Sequence, residues 1–154
     1  MPNPTIHGHP LGSSAATRAV IENARKTARS KKMVLDMACF ALEEDGRCHA
    51  CIGGSAVIHD MNAPRKSSEW TEDQQEVAEF FDLIRCGLFN ALWRDYHYYV
   101  PEEVRIEWSE DMMHYNPKNP KPFWRAWERF ADAQERYENR NQAPREEPGE
   151  AGEK

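Results

Sequence analysis

Between Thr71 and Asp95 the chain carries its strongest structural instruction. Thr71 can cap a helix, with Gln74 three residues on reaching back in a capping box. Val77, Phe80, Phe81, Ile84, Leu88 and Leu92 then recur at three- and four-residue intervals. A stripe of this length is stable only when other apolar surface covers it, so the rest of the chain must supply that cover. The spacing predicts one central helix from Thr71 to about Asp95, interrupted only by Gly87. At Gly87 a missing side chain lets a neighbouring helix approach, at a cost of about 1 kcal/mol relative to alanine.

The cover is legible on both sides of that stripe. Ser13 or Ser14 can cap a helix running to about Arg29, with Ala16, Val20 and Ala24 on its inner face. Met33, Val34, Met37, Ala38, Ala41 and Leu42 fit a second helix from about Lys31, ended by Gly46 in a left-handed turn. A short helix is expected from Cys51 to about His59, where Gly53-Gly54 allows close packing, and then a loop from Met61 to Glu69. Pro122 can open a last helix that presents Phe123, Trp127, Phe130 and Tyr137 on one face. From Tyr96 to Trp108 two readings fit equally: a small hairpin of alternating apolar residues, or a short helix begun by Pro101 and the acids Glu102 and Glu103.

A chain of 154 residues has room for one core, and five Trp, six Phe and five Tyr supply large units of burial for it. The expected fold is therefore mainly α: a compact domain of four to five helices over residues 13–140, with a small β-hairpin as an option. Residues 1–12 read as a flexible lead, and residues 141–154, acidic and marked by Pro144, Pro148, Gly149 and Gly152, as a disordered tail. No apolar run approaches the roughly 20 residues that span a bilayer, so no membrane role is expected. The first dozen residues lack the basic start and apolar stretch of a secretion signal, and the expected location is cytoplasmic.

Charge is uneven. Arg18 to Lys32 holds six basic residues against the single acid Glu22, although the whole chain carries a net charge of −6. Such a segment can attract phosphate, but pairing with acids inside the fold is the more ordinary outcome.

Chemistry concentrates in Arg47-Cys48-His49-Ala50-Cys51. Two thiols separated by two residues form half of a tetrahedral zinc site, and Cys39 and His59 are the placements that can complete it. The competing reading makes Cys39 and Cys51 small buried hydrophobes at a tight junction. Thiol exchange through a Cys48 thiolate just before a helix start expects a βαβ context, whereas the flanks read as helical. For a Cys–His hydrolase nothing in the spacing selects a pair among six histidines. The chain has no phosphate-cradling loop, dinucleotide fingerprint or paired-histidine protease motif. No cofactor other than zinc is suggested, and the balance leans away from an enzyme.

The second concentration is aromatic. Trp93, Tyr96, Tyr98, Tyr99, Trp108, Tyr115, Trp124 and Trp127 are denser than core filling requires, and Arg94, Arg105 and Arg125 lie among them. Trp, Tyr and Arg dominate protein-binding hot spots, so Trp93, Arg94, Arg105, Trp108 and Arg125 are the expected binding residues for a protein partner. The same mixture can stack bases, but the surrounding Asp95, Glu102, Glu103, Glu107, Glu110 and Asp111 oppose nucleic acid.

The run Gly46-Arg47-Cys48-His49-Ala50-Cys51-Ile52-Gly53-Gly54-Ser55-Ala56-Val57 resembles a segment of uncharacterised small bacteriophage proteins, in which a Cys-x-x-Cys pair precedes an aliphatic residue, small residues and a short helix. The likeness extends to the longer helix downstream, near Phe80 to Trp93. It implies a phage accessory role, with no catalytic residue to carry over. The expected function is a non-enzymatic interaction protein that modulates a host process; the alternative is a zinc-stabilised Cys/His module that binds nucleic acid through the basic helix.

Overall fold

The structure, a computed structural model, describes residues 5–142. The acidic tail expected beyond residue 142 lies outside them, while Asn141 and Gln142 belong to the last helix.

Helix α1, Ser14–Arg29, starts where the sequence places it: the Ser13 hydroxyl accepts the Ala16 N–H at 3.2 Å. Ala16, Val20, Ile21 and Ala24 are buried along one face. The second helix expected from Lys31 is absent. In its place stand strands β3 (Met33–Leu35), β4 (Ala41–Glu44) and β5 (Arg47–Ala50), and β5 takes the centre of the sheet. β3 pairs with it in parallel, Met33 opposite Cys48 and Leu35 opposite Ala50; β4 pairs with it antiparallel, Glu44 opposite Arg47.

Two local facts decide against the helix. Met33, Leu35 and Met37 are buried in alternation, the period of a strand, whereas Ala38 and Leu42, needed for a helical face, are exposed. Asp45 and Gly46 both have positive φ, 55° and 75°, which is the two-residue turn that matches the twist of a hairpin. Gly46 thus turns a hairpin and does not end a helix.

Helix α2, Ile52–Asp60, follows β5 directly, and α3, Glu72–Arg85, begins with the expected capping box. The Gln74 N–H donates to Thr71 Oγ1 at 3.2 Å, and the Thr71 N–H donates to Gln74 Oε1 at 2.9 Å. The long central helix is divided. Gly87 adopts φ 70°, the Leu88 N–H donates to the Leu83 carbonyl, and the Gly87 N–H donates to that of Ile84, a left-handed terminus that closes α3. Helix α4, Phe89–Tyr96, follows as a separate helix, and Leu88, expected on the buried ridge, lies half in solvent. Between Tyr96 and Trp108 the helical alternative holds: Pro101 precedes a single turn, α5, Glu102–Arg105, and no strand forms there. Helix α6, Lys121–Gln142, carries Pro122 in its first turn.

The segment expected as a flexible lead is partly built into the domain. Strands β1 (Thr5–Ile6) and β2 (His9–Pro10) make a small ribbon, and Ile6 and Leu11 are buried. His7 Nε2 lies 2.8 Å from Asp60 Oδ1 at the end of α2, which ties the ribbon down.

α1 packs between α2 and α6, and α2 packs against α3. Trp127, Phe123 and Phe130 of α6 are completely enclosed, and the Trp127 indole N–H donates to the Met112 carbonyl at 3.1 Å. Enclosing a side chain of this size contributes about 2–3 kcal/mol, so α6 locks the domain. The result is a mainly-α domain, with six α-helices among the described residues and a small mixed sheet where a helix was expected.

Candidate functional site

The Cys-x-x-Cys segment spans the end of β5 and the start of α2, so the flanks are strand and helix, contrary to the helical expectation. Each sulfur is occupied locally. Cys51 Sγ caps α2 by accepting the Gly54 N–H at 3.3 Å, Cys48 Sγ donates to the Arg65 carbonyl at 3.5 Å, and Cys39 Sγ donates to the His49 carbonyl at 3.5 Å. His59 is engaged elsewhere: its Nε2 lies 3.1 Å from the Thr27 hydroxyl on α1. Among the described residues no three His, Cys, Asp or Glu side chains converge on a point where a metal ion would sit.

The environment also disfavours thiolates. Burial pushes the Cys51 thiol up to about 12, and burial together with Asp36 pushes Cys39 up to about 11. Burial raises Cys48 as well, against the opposing pull of Arg65. A nucleophilic or redox-active cysteine needs the reverse, a thiolate stabilised near neutral pH. His59 is shifted downward by burial and by Lys26 and Arg65, which favours its neutral form.

What the segment does is pack. A Cβ on Gly54 would lie 1.8 Å from the Phe40 carbonyl oxygen, and one on Gly53 would lie 2.7 Å from that of Ala78. The two glycines let the β3–β4 loop and α3 press directly onto the start of α2, in keeping with the close-packing reading.

The basic run on α1 meets acids within the fold. Arg18 reaches Asp132 and Glu135 on α6 at 2.8 and 2.6 Å, Arg25 pairs with Glu128 and lies over the Trp124 ring, and Arg29 approaches Glu22 at 3.5 Å. Lys26, Lys31 and Lys32 remain exposed.

The aromatic candidates divide into two groups. Trp108 is half-buried over Gly87, its ring atoms 3.0 Å from where a Cβ would stand, and its indole N–H donates to the Arg85 carbonyl at 2.9 Å. It braces the α3–α4 turn. Arg125 is exposed on α6. Trp93 and Arg94 lie exposed on α4, with Arg94 paired to Asp95 at 2.8 Å.

Arg105 organises the surface beside them. Its Nε donates to the Val100 carbonyl at 2.7 Å, and its guanidinium lies 5.4 Å from the Phe89 ring centre and 5.1 Å from that of Tyr99. A cation held between two rings is ordered before any partner arrives. In the same stretch of chain the apolar side chains Leu88 (51%), Trp93 (55%), Tyr99 (58%) and Ile106 (68%) are exposed. Leu88 and Ile106 were missed in the sequence because both fit apolar patterns that normally face inward. The turn at Gly87 and the single-turn length of α5 rotate them out.

Comparison with family models, curated proteins and solved structures returns no match to this chain.

Proposed function

We propose that the protein works by binding a protein partner through the face formed by α4, α5 and the segment between them, without catalysing a reaction there. One observation carries this reading: among the described residues, four of the five exposed large hydrophobic side chains fall in the stretch from Leu88 to Ile106, which also holds an arginine set against two aromatic rings. Scattered single apolar residues are ordinary on a protein surface, but several along one short stretch, interspersed with exposed charges such as Arg94, Asp95 and Glu102, match the composition of partner sites. Trp, Tyr and Arg supply large contact area at small entropic cost, and Arg105 is already fixed in place.

The test is affinity capture from the native cell with the wild-type chain and with a Trp93→Ala/Ile106→Ala double variant. A protein retained by the first and lost by the second, while both melt at the same temperature, supports the reading. Equal retention by the two overturns it.

A further inference from the structure

Beneath the Pro10–Ser13 turn lies a cavity of about 210 Å³ whose remaining walls are aromatic: Phe80 from α3, Tyr96 from the last turn of α4, and Tyr98 just beyond it. The Phe80 ring centre is 5.6 Å from each tyrosine ring, with interplanar angles of 79° to Tyr96 and 46° to Tyr98. The rings meet at steep angles and not as a parallel stack, and all three contribute to the cavity lining. The walls are tied together, because the Tyr98 hydroxyl donates to the Gly12 carbonyl at 2.8 Å and the Gln134 amide donates to the same oxygen at 3.2 Å. Gly12 has no room for a side chain: a Cβ there would stand 2.2 Å from the Tyr98 ring.

None of the lining residues is basic. The charged groups that act on the tyrosines are carboxylates, Glu79, Glu76 and Asp95 on Tyr96 and Glu138 on Tyr98. The Tyr96 hydroxyl donates to Glu79 Oε1 at 2.6 Å, the length of a charge-assisted bond. Donation to a carboxylate shifts electron density into the phenol ring and deepens the negative potential over its face. Glu72, Glu76 and Glu79, at four- and three-residue intervals along α3, carry the same sign across the adjoining surface.

We propose that this aromatic box binds a small organic cation, specifically a quaternary or fully methylated ammonium group. The chemistry narrows the class. An anion would meet the carboxylates, and a neutral apolar group would gain burial but nothing from the field. A primary ammonium would leave N–H donors unpaired against ring carbons, at a cost that a methylated ammonium, having no such donors, avoids. The methylated cation instead gains attraction to the ring faces, which strengthens as water is excluded.

The experiment is a titration of the full chain followed by two-dimensional amide NMR. Choline is one probe, and 3,3-dimethylbutan-1-ol, the same shape without the charge, is the other. Choline is expected to shift the Leu11, Gly12, Ser13 and Tyr98 amides saturably, with the uncharged alcohol roughly tenfold weaker or silent. Tyr96→Leu should weaken choline binding by about tenfold, Tyr96→Phe should retain most of it, and Glu79→Gln, at an exposed position, should weaken it by about threefold. Absence of saturable shifts in the wild-type chain overturns the proposal. So does equal binding of the alcohol, or shifts confined to residues away from the box.

Discussion

The junction at Cys48–Gly54 and the face from Leu88 to Ile106 are opposites in how they use their residues. At the junction, residue types known for chemistry are enclosed and silenced: the thiols are held protonated and hydrogen-bonded to backbone. On the face, ordinary apolar residues stand in solvent, and a half-buried arginine is held against two aromatic rings. The difference teaches that reactivity by residue type and availability by placement are separate properties. The first region holds the domain together, and the second is the one we propose for a partner.

The contrast is sharpest if small changes at the junction damage the fold and large changes on the face do not. Gly54→Ala should have the largest effect, because its added methyl collides with the Phe40 backbone; a loss of about 3 kcal/mol or more in urea unfolding is expected. Trp108→Ala comes next, at about 2–3 kcal/mol, since it strips the brace from the Gly87 turn and leaves the Arg85 carbonyl without its indole donor. A Trp108 variant as stable as wild type, with weakened partner binding, would move that residue from the fold to the face.

Cys51→Ser should cost within about 1 kcal/mol at neutral pH, because serine can take over the cap. Its effect on pH dependence is more telling. The folded-state pKa of Cys51 is raised above its ordinary value of 9.0, so its contribution is complete below that pH. It should be lost as pH rises from 9.0 toward about 12, where the unfolded chain releases the proton first. Over that window the fall in stability should be shallower in Cys51→Ser than in wild type; parallel curves would mean that the thiol is not enclosed. Trp93→Ala and Ile106→Ala should be the mildest, each changing stability by about 0.5 kcal/mol or less. A large loss from either would place it in the core and break the comparison from the other side.

Much of the helical frame was readable from the chain. Ser13, Thr71 with Gln74, and Pro122 mark helix starts through local hydrogen bonding or fixed φ, and the Phe123/Trp127/Phe130 face of α6 follows from spacing alone. The sheet was missed because Met33 to Leu42 satisfies helical spacing on paper, and the Asp45-Gly46 pair, a strong hairpin signal, was read as a helix end. In the sequence Gly87 interrupts an otherwise continuous apolar stripe, and nothing there shows that it ends the helix and leaves Leu88 exposed. Aromatic density and arginine content make Trp93 and Arg105 candidates, but no sequence signal shows which tryptophan faces outward. That depends on the direction α4 takes after the turn.

The order of strands in the sheet also governs how this part of the chain assembles. β4 and β5 are joined by a two-residue turn and can pair within microseconds, whereas β3 finds its pairing only along β5, on the edge the hairpin leaves free. This topology predicts that the sheet grows outward from Asp45-Gly46, with β3 docking onto the ribbon afterwards. In a kinetic mutant series, side chains of the ribbon would influence the rate of folding, and those of β3 mainly the rate of unfolding.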